Sequence, residues 1–122
     1  MTKIAIIEDD PTISQMYRMK FEADGFDVRM AGNGKIGVDL VKSFKPDIIL
    51  LDIQMPEMDG AAALKLIREH KDSKDTPVII LTNLGEEEAP SEMRSLGISS
   101  YIVKANNTPR QVVAHVKNTI GL

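Results

Sequence analysis

Lys45-Pro46-Asp47-Ile48-Ile49-Leu50-Leu51-Asp52-Ile53-Gln54-Met55-Pro56-Glu57-Met58-Asp59-Gly60 decides how the rest of the chain is read. Ile48 to Leu51 is an unbroken apolar run, short enough for a strand and apolar enough to be buried on both faces, as in a parallel sheet. A run of that kind ends in a carboxylate only where the strand's end opens onto a water-filled crevice. In open α/β sheets ligands bind at the carboxyl ends of the strands, which makes Asp52 a candidate site residue. Pro56 and Asp59-Gly60 then impose a turn before the next helix. The plainer alternative is that Asp52 only caps a loop, and the rest of the chain decides between the two.

On either side of this stretch, strand and helix patterns alternate. Lys3 to Ile7 reads as the first strand and ends in Glu8-Asp9-Asp10. Asp10-Pro11 starts a helix, with a capping acid and a proline at the first helical position. Ile13, Met16, Tyr17 and Phe21 follow at helical spacing, up to Gly25. Asp27 to Ala31 is a short, weak edge strand, and Gly34 to Phe44 a helix with Gly37, Leu40, Val41 and Phe44 inward. The third strand is Asp47 to Leu51, followed by a helix from Ala61 to His70 with Leu64 and Ile67 inward. After the polar loop Lys71 to Thr76, Pro77 to Leu81 is the fourth strand. Pro90 can start a helix but sits badly inside one, which places the fourth helix from near Pro90 to Gly97, with Met93 and Leu96 inward. Ser100 to Val103 is the fifth strand. Thr108-Pro109-Arg110-Gln111 is a capping box opening the last helix, with Val112, Val113, Val116 and Ile120 inward. Five βα units without a repeat or low-complexity tract predict an α/β fold, a doubly wound five-stranded parallel sheet. Right-handed crossovers then put helices on both faces and all the strand ends at one rim.

Composition narrows the function classes. The chain has 122 residues, the size of one domain with a proper core. Fifteen basic against eighteen acidic residues leave a net charge of −3, which argues against a chain-wide nucleic-acid footprint. The absence of cysteine excludes disulfides, zinc thiolates and a thiol nucleophile. No apolar run reaches membrane-spanning length and no signal-like segment precedes the first strand, so a cytoplasmic domain is expected.

The rim carries the chemistry. Strand one delivers Glu8, Asp9 and Asp10, strand three Asp52, strand four Thr82, and Lys104 follows strand five. Two like charges about 4 Å apart cost roughly 4 kcal/mol at an effective dielectric near 20. A cation must offset this, or the carboxylates titrate to neutral. The Lys104 ammonium and a hard divalent ion with oxygen ligands would both serve, and Mg²⁺ suits a site with few carboxylates and several retained waters. Taken singly, a strand-end acid is often a helix cap, a threonine a turn residue and a lysine a solvated charge. Their arrival together at successive strand ends is what points to a site.

Ile7-Glu8-Asp9-Asp10-Pro11, Leu51-Asp52-Ile53-Gln54-Met55-Pro56-Glu57-Met58-Asp59-Gly60, Leu81-Thr82 and Tyr101-Ile102-Val103-Lys104 together resemble the signatures of response regulator receiver domains. The resemblance spans essentially the whole chain, and D-x-x-M-P-x-M-D-G is its most specific part. It implies a (βα)5 fold with flavodoxin-like strand order 2-1-3-4-5. It implies that Asp52 accepts a phosphoryl group from a phosphohistidine on a sensor histidine kinase or histidine phosphotransfer protein. Asp9 would bind Mg²⁺ directly with Glu8 near it through water, and Asp52 and the Gln54 backbone carbonyl would complete the protein ligands. Thr82 and Lys104 would bind the phosphoryl oxygens. Tyr101 would be the aromatic switch residue, and the face of the fourth helix, fifth strand and fifth helix would meet a downstream protein. The residues two after Asp52 and two after Thr82, Gln54 and Leu84, would flank the path of a hydrolysing water.

Several positions depart from that pattern. Asn83 stands where many relatives have a small residue, and Pro90 shortens the fourth helix. Ala105 replaces a proline that commonly follows the lysine through a cis bond. A cis bond costs about 3–4 kcal/mol at alanine against roughly 0.5–1 kcal/mol at proline. A trans bond is therefore expected, with Ala105-Asn106-Asn107 absorbing the turn and asparagine free to go left-handed. Rival classes are disfavoured by particular residues. A haloacid-dehalogenase-like phosphatase needs a second aspartate where Gln54 stands. A flavodoxin-like FMN carrier needs a phosphate-cradling loop where Glu8-Asp9-Asp10-Pro11 would repel one. A pseudo-receiver that is never phosphorylated would not need the intact rim. The chain is expected to be a single receiver domain over residues 1–122 with no output segment. It is expected to signal as a phosphoacceptor and not as an enzyme.

Overall fold

A computed structural model describes residues 1–122. β1 (Lys3–Ile7), α1 (Pro11–Ala23), β2 (Asp27–Ala31), α2 (Gly34–Phe44), β3 (Ile48–Leu51), α3 (Gly60–Glu69), β4 (Val78–Thr82), α4 (Glu92–Ser95), β5 (Ser100–Val103) and α5 (Pro109–Thr119) follow in alternation. The strands form one parallel sheet in the order β2-β1-β3-β4-β5. This is the doubly wound sheet expected, with the second strand at an edge, although at five residues that strand is as long as β1 and β4 and not short. Alternation along the strands splits the core in two. Ala5, Ile7, Ile49, Leu51, Val78 and Ile80 pack against Val38, Val41, Leu64, Ile67 and Met93. Ile4, Ile6, Ile48, Leu50, Ile79 and Leu81 pack against Tyr17, Phe21, Val112 and Val116 of α1 and α5. Each fully buried Ile or Leu contributes about 1.5–3 kcal/mol, and this packing is what holds the polar rim in place.

The caps form where the sequence put them. The Asp10 carboxylate accepts from the amides of Thr12 (2.9 Å) and Ile13 (3.2 Å) and starts α1. Thr108 and Gln111 form the reciprocal capping box at α5, at 3.2 and 2.7 Å. Small shifts occur at other boundaries. α3 begins at Gly60 and ends at Glu69, β3 begins at Ile48, and β4 starts at Val78 and takes in Thr82.

The fourth helix is shorter than expected. Only Glu92–Ser95 is α-helical, although the segment from Pro90 to Gly97 is helical in outline. Its ends are closed by i→i+3 bonds from Pro90 to Met93 (3.1 Å) and from Arg94 to Gly97 (3.2 Å), which tighten it to 3₁₀ geometry. Pro90 has no N–H to offer a preceding turn, and Gly97 turns left-handed at φ 78°, so neither end can grow. Met93 is buried as expected, but Leu96 only half-buried. The Arg68 guanidinium ties this segment down, donating to the carbonyls of Leu96 (2.7 Å), Gly97 (2.8 Å) and Ser73 (2.9 Å). Ahead of it, Glu86–Glu88 forms a separate 3₁₀ turn. No helix is long and apolar enough to cross a membrane.

Candidate functional site

Parallel register brings the sequence-predicted residues to one rim. Ile7 lies opposite Leu51, so Glu8 and Asp52 leave the sheet side by side. Thr82 lies opposite Val103, so Lys104 emerges beside Thr82. The loop after β3 folds over tightly to begin α3. A Cβ on Gly60 would sit 2.2 Å from the Asp52 carbonyl oxygen, so only glycine lets the helix start this close to the aspartate. Within that loop Glu57 holds φ 67°, a left-handed conformation that side chains rarely adopt, next to the site.

Asp52, Glu8 and Thr82 are buried. The Asp52 Oδ1 accepts from the amides of Ile53 (2.7 Å) and Gln54 (3.4 Å), while Oδ2 lies 3.3 Å from the Lys104 ammonium. The same ammonium forms an ion pair with Glu8 Oε1. Glu8 was expected beside a metal rather than on the lysine, and its longer arm is what lets it reach across. Burial pushes the Glu8 carboxyl up to about 7. The Lys104 hydrogen bond opposes that rise, and the Asp52 charge adds to it. Lys104 is raised, since its contacts with Glu8 and Asp52 outweigh the burial that lowers it.

Asp9 is exposed at the mouth of the site. One carboxylate oxygen from each of Glu8, Asp9 and Asp52 lies within 4.8 Å of the others. Three hard oxygen donors at that spacing fit Mg²⁺ or another hard divalent cation, and nothing in the set favours a soft metal. Gln54 is exposed, with its amide toward Asp52.

Two hydroxyls hold the peptide of Leu84. The Leu84 amide donates to Thr82 Oγ1 (3.3 Å), and the Tyr101 hydroxyl donates to the carbonyls of Leu84 (2.8 Å) and Gly85 (3.3 Å). Burial, and after it the nearby Glu86 and Glu88 carboxylates, keeps the Tyr101 phenol above its ordinary range. The Lys104–Ala105 bond is trans, as expected. The turn that follows is made differently from the expectation. Lys104–Asn106 forms a 3₁₀ turn and Asn107 is extended, so no asparagine goes left-handed. A short 3₁₀ turn reverses the chain without positive φ and leaves Lys104 pointing at the acids. The sequence pattern gave no site role to Ser14, whose hydroxyl donates to the Glu8 carbonyl from the buried face of α1 at 3.3 Å; a polar residue on that face was the available signal.

This rim, at the strand ends of a β2-β1-β3-β4-β5 sheet, is the architecture of phosphoaccepting receivers. The chain belongs to the response regulator receiver domain family, whose model matches residues 4–117. It is 36% identical over 104 residues to the regulatory protein AtoC of Escherichia coli (strain K12), covering 85% of this chain and 22% of that protein. It is 38% identical over 115 residues to the transcriptional regulatory protein SrrA of Staphylococcus aureus (strain NCTC 8325 / PS 47), covering 94% and 46%. The chain therefore spans less than half the length of these relatives. Among solved structures it is similar to the chemotaxis protein CheY4 of Vibrio cholerae, with TM-score 0.89, 25% identity and 98% of each chain covered. It is also similar to the receiver domain of the Francisella response regulator 1452, with TM-score 0.86, 30% identity and 99% and 98% covered. The chain is thus a receiver domain of the two-component response regulator class, a signalling phosphoacceptor. The phosphatase and flavin-carrier alternatives find no support.

Proposed function

We propose that Asp52 is the phosphoacceptor and that the residues around it divide the work of one transfer. The observation that carries this is the buried Asp52 carboxylate, 3.3 Å from Lys104 and sharing a three-carboxylate cluster with Glu8 and Asp9. An Asp52 oxygen attacks the phosphorus of a partner's phosphohistidine, the P–N bond breaks, and the imidazole leaves with the bonding pair. The donor is a sensor histidine kinase or a histidine phosphotransfer protein. Charge develops on the peripheral oxygens of the loose transition state, so catalysis is mostly positioning and neutralisation. Lys104 neutralises one oxygen, and the Thr82 hydroxyl donates to another. Glu8, Asp9, Asp52 and the Gln54 backbone carbonyl are the residues that would hold Mg²⁺. Bound there, it supplies the remaining charge neutralisation.

Phosphorylation consumes the Asp52 carboxylate charge and puts a phosphoryl group of about −1.5 to −2 in its place, a net gain of about −0.5 to −1 beside these groups. When Thr82 turns toward the phosphoryl group it gives up the Leu84 amide. Leu84 is also held by Tyr101, so the hydroxyl exchange passes to the face formed by α4, β5 and α5, where a downstream protein would bind. A cytoplasmic setting fits such a relay, with neither direct nucleic-acid contact nor turnover of a separate substrate. The test is phosphotransfer from a phosphorylated histidine kinase in the presence of Mg²⁺. Wild type takes the label and Asp52→Asn does not; equal labelling of both would overturn the assignment.

A further inference from the structure

The buried face of α1 carries two polar side chains directly beneath the acid pocket. Ser14 and Tyr17 are 5% and 3% exposed, and at three residues' spacing they stack on one side of the helix. Ser14 Oγ donates to the Glu8 carbonyl oxygen at 3.3 Å. The Tyr17 hydroxyl has no hydrogen bond to another protein group. No side-chain nitrogen or oxygen sealed from solvent lacks a partner, so this hydroxyl opens onto space that a water can enter. A cavity of about 10 Å³ is lined by Glu8, Tyr17, Asp52, Leu50 and Leu81. That volume matches a single water, and a buried water is held where it finds two to four polar partners. Glu8, Asp52 and Tyr17 are the residues lining the cavity that carry polar side-chain groups, against walls of isoleucine and leucine. Burial pushes the Tyr17 phenol above its ordinary range, with the Lys104 charge opposing that rise and the Glu8 charge adding to it. If Tyr17 were only a core ring, phenylalanine would serve equally and the hydroxyl would carry an avoidable desolvation cost.

We infer that Tyr17 is a positioning residue for phosphoryl acceptance: through one water in this cavity its hydroxyl donates toward the Glu8 and Asp52 carboxylates and holds Glu8 against Lys104. The inference rests on Asp52 being the acceptor. Glu8 is the residue that places the Lys104 ammonium, and a carboxylate tethered at both its carbonyl and its side chain cannot swing away from the site. A water-relayed hydrogen bond carries most of the orientation of a direct one at small entropic cost.

Tyr17→Phe tests it, since the ring stays and only the hydroxyl goes. Two readouts are taken: the ¹³C signal of the Glu8 side-chain carboxyl in metal-free protein, and the rate of Asp52 phosphorylation by acetyl phosphate with Mg²⁺. The Glu8 signal should move, and the rate should fall about 3- to 10-fold, the size of one hydrogen bond. The melting temperature should stay at the wild-type value. Tyr17→Leu, which also removes the ring, should lower the melting temperature and so reports packing separately. An unmoved Glu8 signal, an unchanged rate, or a Tyr17→Phe variant that melts as low as Tyr17→Leu would each overturn the inference. Wild-type protein that takes no phosphoryl group would instead overturn the Asp52 assignment, and this inference with it.

Discussion

Lys104→Met removes the ammonium that two buried carboxylates share, and the cost should depend steeply on pH. Breaking a buried pair by deleting one partner leaves an uncompensated charge, worth about 3–5 kcal/mol. Glu8 can escape that cost by keeping a proton. Its carboxyl is already pushed up to about 7 with Lys104 in place, and Lys104 is one of the groups holding it down. Without the lysine it rises further. The sign then follows from proton counting. Between the ordinary carboxyl range and the folded value, the folded state holds a proton that the unfolded chain has released. Stability therefore falls as pH rises through that window. In wild type the fall ends near 7; in Lys104→Met it continues above. While Glu8 is protonated the variant should lose only about 1 kcal/mol, the net worth of the missing hydrogen bonds. Each further pH unit should add up to about 1.4 kcal/mol. In a domain of this size 1 kcal/mol moves the melting temperature by roughly 3–6 °C. Thermal unfolding by circular dichroism without metal, from about pH 5.5 to about pH 8.5, should show the gap between variant and wild type widening. A gap that is constant or narrows with pH would refute this account of the Glu8–Lys104–Asp52 cluster.

Other consequences concern metal and lifetime. Asp9→Ala should weaken Mg²⁺ binding by at least about tenfold, because even outer-shell partners of a metal commonly cost that much; a titration followed by amide NMR that finds equal affinity would remove Asp9 from the ligand set. Leu84→Asn should speed loss of the phosphoryl group several-fold, since leucine cannot orient a water and asparagine can. Leu84 is half-buried, so the same change should lower stability by no more than about 1 kcal/mol. Equal dephosphorylation rates in wild type and variant would refute that role.

Much of the fold was legible because local signals agreed with one another. Ile48 to Leu51 is buried on both faces as its unbroken apolarity required. Asp10-Pro11 and Thr108-Pro109 start helices because their side chains can satisfy free amides. Strand ends were equally legible, and with them the meeting of Glu8, Asp52, Thr82 and Lys104. What the sequence could not show depended on tertiary reach. Nothing in the local pattern says that Glu8 rather than Asp52 makes the closer ion pair with Lys104, because the separation is set by side-chain length across two strands. The truncated α4 was half legible. Pro90 marked the start, but the C-terminal end is held by Arg68 reaching from α3 to the carbonyls of Leu96 and Gly97. The turn after Lys104 shows the limit of propensity: asparagine tolerates positive φ, yet the chain turns without it.

Asp52 is the residue expected to carry the phosphoryl group. That assignment is tested most directly by incubating the protein with acetyl phosphate and Mg²⁺, reducing the acyl phosphate with borohydride to fix its position, and mapping the modified residue by mass spectrometry. Modification is expected at Asp52 alone, dependent on Mg²⁺ and absent from Asp52→Asn. Modification at Glu8 or Asp9 in wild-type protein, with Asp52 unlabelled, would contradict that assignment.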